Sequence, residues 1–240
     1  MFENNLGILS GYWSYIVLVL PALAFALWAQ FHVKSTFAKY AKVASERNMT
    51  GADAARMVLM AGGVTDVPVE HVSGELTDHY DAKAKIIRLS DKVYGSRTAS
   101  AVGVAAHEAG HAVQYAQGYG PIKLRSAIIP VTNIGSKLSM PLILGGLLLS
   151  TLSEGFFELV YIGIICFAMS TLFQLITLPV EFDASRRALE AIEARGILYE
   201  EETKGAKKVL RAAAMTYVAA LAVSLMQLLR FILLFSGRRR

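Results

Sequence analysis

Apolar and polar residues in this chain are sorted into long blocks. The first apolar block, Tyr12 to Phe31 (YWSYIVLVLPALAFALWAQF), carries no charge. A helix needs ~20 apolar residues to cross ~30 Å of hydrocarbon, so this block predicts a membrane-spanning helix. Trp13, Tyr15 and Trp28 lie near its ends, where interfacial aromatics belong, and Pro21 predicts a kink. With no basic n-region or cleavage-site pattern before it, the block reads as an anchor and not a removed signal. A second span is expected over Ser126 to Leu152, with Asn133 and Lys137 facing protein or a wet cavity. A third is expected over Phe156 to Leu178, joined to the second by the short turn Ser153-Glu154-Gly155. The fourth block, Ala212 to Phe235, is uncharged between Arg211 and Arg230.

Between the blocks the pattern changes. Thr50-Gly-Ala-Asp53 has the spacing of a capping box and predicts a helix over Ala52 to Ala61, stopped by Gly62-Gly63. Val67 to Val72 is β-prone, and Leu76–Asp81 with Ala84–Leu89 predicts a hairpin turning at Asp81-Ala82-Lys83. Ser96 or Thr98 can cap a long helix over Ala99 to Gln117, ending at Gly118. A separate helix is expected to start near Pro179, a residue favoured in a first turn, and to run to Arg195 with Gly196 as its stop.

The 240 residues are 54% hydrophobic and 18% charged, the latter below the ~25% of soluble domains. That excludes a disordered chain, and the single cysteine, Cys166, excludes a disulfide-stapled one. The net charge of +5 does not indicate nucleic acid, because the cations flank the apolar blocks. Twelve of the 24 Lys/Arg lie between Gln30 and Arg125 and seven more between Pro179 and Arg211, while none precedes Tyr12. The positive-inside rule then predicts that both basic segments are cytoplasmic. Arg238, Arg239 and Arg240 resist it, since a spanning fourth block would put them outside.

The chemistry is concentrated in His107-Glu108-Ala109-Gly110-His111. On a helix, residues four apart lie one above the other, so both imidazoles can reach one metal ion. Zinc takes imidazole nitrogen and, when catalytic, three protein ligands plus water. Glu108 can reach that water and take its proton, the arrangement of HExxH zinc proteases. A chance match on an amphipathic helix would leave these polar groups buried beside Val104, Ala105 and Val113 without compensation.

A third ligand must come from elsewhere, and Glu181 and Asp183 are the candidates. They lie about 200° apart around a helix, so only one can face the metal. Glu181 shares a face with Ser185 and Ala188, small residues that permit close approach to the HExxH helix. Asp183 is left to orient a ligand imidazole, to pair with Arg186 or Arg187, or to face solvent.

VAAHEAGHAVQ, the preceding LTDHYDAKAKIIRLS and the following LPVEFDASRRAL resemble the YugP-type neutral zinc metallopeptidases, bacterial membrane proteins with the HtpX and CAAX-prenyl endopeptidases as distant relatives. The resemblance covers most of the chain. It implies a mainly α membrane protein of about four spans, with a cytoplasmic zincin-like α+β domain carrying HExxH on a helix and a small hairpin with an edge strand. It also implies one Zn²⁺ per chain held by His107, His111 and Glu181, with Glu108 as base. The distant relatives carry Glu-x-x-x-Asp on the third-ligand helix, where this chain has Ser185 last and Asp183 two residues earlier, so both are candidates for supporting the ligands.

The expected organisation is an anchor over 1–33, a cytoplasmic protease segment with the HExxH helix over 34–125, a transmembrane hairpin over 126–178, the third-ligand segment over 179–211, and a hydrophobic helix with a basic tail over 212–240. His79, Tyr80 and His71 are candidates by residue type for stabilising an oxyanion, and the Ala84–Leu89 strand for backbone pairing with substrate. The expected partners are a membrane-associated polypeptide substrate and the lipid bilayer of the bacterial inner membrane. A membrane partner protein or self-association is left open, and no nucleic acid is expected. The alternative is a non-enzymatic membrane scaffold with a structural metal site, which would have no use for Glu108. An intramembrane protease is disfavoured, because the HExxH helix is short and follows a polar segment.

Overall fold

A computed structural model describes residues 12–235 and is mainly helical. Helix α1 covers Tyr12–Tyr40 and α2 Gly51–Ala61. Strands β1 (Val69–His71), β2 (His79–Asp81) and β3 (Ile86–Leu89) follow. Then come α3 (Ala99–Ala116), α4 (Gly120–Leu149), a 3₁₀ turn at Glu154–Phe157, α5 (Glu158–Ala194) and α6 (Glu200–Phe235). Helices α1, α4 and α6, and α5 with its leading turn, are each long and apolar enough to cross a membrane. Arg238 to Arg240, which resisted the charge rule, lie outside the described residues.

Two compact units divide the described residues. One contains 12–28, 124–177 and 217–235, the most apolar parts of the four long helices. Small residues let α4 and α5 meet closely here. A Cβ on Gly163 would stand 2.8 Å from the Ser139 carbonyl oxygen, and one on Gly146 would stand 2.8 Å from the Val160 nitrogen. In lipid, where burial of apolar surface gives no driving force, such contacts and interhelical hydrogen bonds hold helices together. Thr171 and Ser224 supply one of these bonds between α5 and α6, with their hydroxyls 2.7 Å apart. Near Pro21 the helix widens into a π turn over Tyr15–Val19, the local adjustment that accommodates the missing N–H and the ring.

The other unit contains 29–123 and 178–216. Its core joins α2, α3 and the apolar faces of β1 and β3 to Ala188 and Ile192 of α5 and to Ala206 and Leu210 of α6. Helix α3 is built from small residues, and Ala99, Ala101, Ala105, Ala106 and Ala109 are wholly buried. Thr98 caps it, accepting from the Ala101 amide at 3.4 Å. Thr50 and Asp53 form the expected reciprocal box on α2, with the Asp53 amide donating to the Thr50 hydroxyl at 3.1 Å.

Two expectations are corrected here. The third-ligand segment is not a separate helix, because α5 continues from Glu158 through Pro179 to Ala194. Long membrane helices tolerate an interior proline when neighbouring groups re-satisfy the backbone. The sheet has order β1-β3-β2, with β1 parallel and β2 antiparallel to β3. The Ala84–Leu89 strand is therefore central, with both edges paired, and it cannot offer its backbone to a substrate. The edge next to it in the hairpin is β2.

Candidate metal centre

Helix α3 carries His107 and His111 one turn apart, with ring centroids 4.7 Å from each other. Glu181 comes from α5, three residues after Leu178. The Nε2 atoms of His107 and His111 stand 3.2 and 3.6 Å from the same carboxylate oxygen, Oε2 of Glu181. The helices come this close because position 110 is glycine. A Cβ there would meet the Ala184 carbonyl oxygen at 2.5 Å.

The far side of each imidazole is also engaged. Nδ1 of His107 lies 3.1 Å from the Ser185 hydroxyl, and Nδ1 of His111 lies 3.0 Å from Oε1 of Gln114. An amide oxygen can only accept, so His111 donates from Nδ1, which leaves Nε2, the nitrogen facing Glu181, as the ligand atom of the neutral imidazole. Gln114 is wholly buried and cannot rotate freely: its amide nitrogen donates to the Val180 carbonyl at 2.8 Å and to Asp183 Oδ2 at 2.9 Å. Asp183 is fixed in turn by Arg186 and by Nε of Arg187 at 2.5 Å. Asp183 thus reaches His111 through Gln114, while Ser185 touches His107 directly.

Gln114 was not singled out in the sequence. The signal was present, since a glutamine three residues beyond His111 on an otherwise apolar helix needs buried partners.

Burial works against a charged His111, but the hydrogen bond that the charged ring donates to Glu181 and the charges of Glu108 and Glu181 outweigh it, and its pKa is raised above the ordinary value. The site therefore favours positive charge. His107, His111 and Glu181 each offer a ligand atom, all within 4.8 Å of one another, and their side chains are only 15%, 11% and 3% exposed. Two imidazoles with their Nε2 atoms convergent, plus one buried carboxylate, fit zinc in donor type and number, with a position left for a further ligand.

Glu108 stands apart from this trio. Its Oε2 accepts from the Tyr80 backbone amide at 3.0 Å, so strand β2 touches the carboxylate directly. The oxyanion candidates named by residue type each have a contact of their own. His79 is exposed with Nδ1 2.7 Å from the Thr77 carbonyl, and His71 is 2.6 Å from Asp91. The Tyr80 ring packs at 5.5 Å from that of Tyr115. Burial, then the proximity of Tyr115 and Asp66, pushes the Tyr80 phenol pKa up.

The sequence profile of a family described as "Putative neutral zinc metallopeptidase" matches residues 15–236. The chain belongs to this family. Among curated relatives of this chain, the "Putative membrane protease YugP" of Bacillus subtilis (strain 168) is 49% identical over 225 residues, which cover 94% of this chain and 98% of the relative. No solved structure matches. With four helices long and apolar enough to cross a bilayer, this zinc metallopeptidase family member is an integral membrane protein.

Proposed function

We propose that this protein is a zinc-dependent endopeptidase of the gluzincin type, hydrolysing peptide bonds of membrane-proximal or misfolded polypeptides at the cytoplasmic face of a bacterial inner membrane. The observation that carries the reading is the convergence of two Nε2 atoms on one buried carboxylate, with the opposite nitrogen of each imidazole held by a side chain. His107, His111 and Glu181 would hold one zinc ion, and Gln114 and Ser185 fix the imidazole orientations. When bound, zinc supplies the Lewis acidity that makes water a nucleophile near neutral pH. Glu108 accepts the proton of the attacking water and passes it to the leaving amine. The Tyr80 amide holds the carboxylate in place for that exchange.

Strand β2 aligns the substrate. In an antiparallel pair, alternate residues turn their backbone groups away from the partner strand. The amide of Tyr80 does so, toward Glu108. With that amide engaged by Glu108, the Tyr80 carbonyl is the outward group left for an extended polypeptide at this edge, which would then run past the base, a β-augmentation mode of binding.

Two features of the chain support the membrane-proximal and cytoplasmic parts of the reading. Glu181 follows the uncharged stretch that ends at Leu178 almost at once, and Ser126, where the second block opens, is fifteen residues beyond His111. Nineteen of the 24 Lys/Arg lie in the two segments that also carry the site.

The test is the purified full-length protein against Glu108→Gln, with zinc content measured and cleavage of an unfolded, membrane-tethered polypeptide followed. Equal zinc with cleavage reduced ~10²–10⁴-fold in the variant is expected. Equal cleavage by both would overturn the role of Glu108. Cleavage of soluble unfolded chains as fast as tethered ones would overturn the membrane-proximal substrate class.

A further inference from the structure

Away from the metal centre, the second compact unit contains a cleft of about 510 Å³ between α1 and α6. Lys39, Lys208 and Arg211 line it, with His32, Ser35, Thr36, Ala212 and Met215. No carboxylate lines it. Among the described residues, none of these three exposed cations has an ion-pair partner. The Lys39 and Lys208 ammoniums both stand near the Tyr40 ring, 5.7 and 6.0 Å from its centroid. That ring is seated on the α6 backbone, where a Cβ on Gly205 would meet it at 2.7 Å. Aromatic attraction offsets part of the repulsion between two like charges at one ring. The remaining field is that of an anion site.

We propose that this cleft binds the phosphate of an anionic phospholipid headgroup. The position along both helices argues for lipid over a dissolved anion. On α1 the lining residues follow the uncharged stretch Tyr12–Phe31, and on α6 they directly precede the uncharged stretch Ala212–Leu229. The cations therefore fall at the level where a span gives way to headgroups. Arg211 provides a planar fork for two phosphate oxygens, the lysines provide charge, and Ser35 and Thr36 provide neutral donors for the headgroup hydroxyls. The volume lies within the ~300–1,000 Å³ of ordinary small-molecule sites. The apolar lining residues Ala212 and Met215 suit the glycerol and first acyl carbons. This site is independent of zinc and of catalysis.

The full-length protein in a neutral detergent, mixed with equal amounts of phosphatidylglycerol and phosphatidylcholine, tests the proposal by native mass spectrometry. The wild-type chain is expected to retain phosphatidylglycerol preferentially, and equal retention of the two lipids overturns the proposal without recourse to any variant. The triple variant Lys39→Gln/Lys208→Gln/Arg211→Gln is expected to lose this preference by about five-fold per cation, which is ~1 kcal/mol each near an anionic headgroup. The variant Lys42→Gln/Lys83→Gln/Lys92→Gln removes equal charge outside the cleft and is expected to keep the preference. Equal loss in both triples overturns a defined site in favour of general electrostatic attraction. Displacement of phosphatidylglycerol by millimolar inorganic phosphate overturns the lipid in favour of a soluble anion. Zinc content and melting temperature equal to wild type identify a triple variant that has folded.

Discussion

The backbone amide of Tyr80 donates to Oε2 of Glu108 at 3.0 Å. The contact belongs to the main chain, so it survives any side-chain change at position 80 that leaves β2 paired with β3. The Tyr80 ring packs 5.5 Å from that of Tyr115. Tyr80→Phe is therefore expected to keep full zinc and to alter kcat/KM by no more than a few-fold. A loss of a hundred-fold or more with zinc retained would place the hydroxyl among the reacting groups.

Gln114 holds His111 in one tautomer through a single hydrogen bond. Gln114→Met keeps the approximate volume and removes the acceptor, leaving the imidazole free to turn. Groups that orient a ligand histidine are worth ~10–100-fold in metal affinity, and a loss of that size is expected in competition with a chromophoric chelator. Unchanged affinity would show that the surrounding helix packing alone orients the ring.

Gly110 and Gly95 give opposite expectations for the same substitution. A Cβ at Gly110 would be forced against the Ala184 carbonyl, whereas one at Gly95 would meet nothing within 4 Å. Overpacking of this kind costs ~1–3 kcal/mol. Gly110→Ala should lower the melting temperature and weaken zinc together, and Gly95→Ala should leave both unchanged. Stability lost at Gly110 with zinc affinity intact would separate interhelical distance from metal binding.

The capping box of α2 carries a pH signature. The Thr50 hydroxyl bond holds the Asp53 carboxyl below its usual range, against a smaller opposing effect of burial. A carboxylate with a depressed folded pKa adds stability that is fully present above its unfolded pKa of ~3.9 and is lost as pH falls through the folded value. Thr50→Ala should cost about 1 kcal/mol near neutral pH. The gap between variant and wild type, read as the difference in melting temperature, should narrow as pH drops below ~4. A gap that stays constant down to pH ~3 would mean that the box acts through packing and not through the carboxylate.

What could be read from the sequence followed from local chemistry. The Thr50–Asp53 cap, the Thr98 cap, the stops at Gly118 and Gly196, and the face shared by Glu181 and Ser185 are short-range patterns, and each has its counterpart in the structure. What could not be read depended on contacts between distant segments. Pro179 looks like a helix start by local preference, yet α5 passes through it, because the surroundings of a long helix override that preference. Hydropathy alone could not show that β3 is flanked on both sides, since β1 joins it from across an intervening loop. The role of Gln114 needed Asp183 and Val180, both more than sixty residues away in the chain.

Gly110 has one consequence for how the motif itself should be understood. HExxH leaves its two central letters open, as though any residue would serve. In this protein Ala109 is wholly buried and Gly110 lies against the backbone of the neighbouring helix. Here the open letters are a spacer whose thickness decides whether the Glu181 carboxylate can join the two histidines. A variant of this chain that keeps the three named letters but places bulk at position 110 would preserve the spelling of the site and lose its third side.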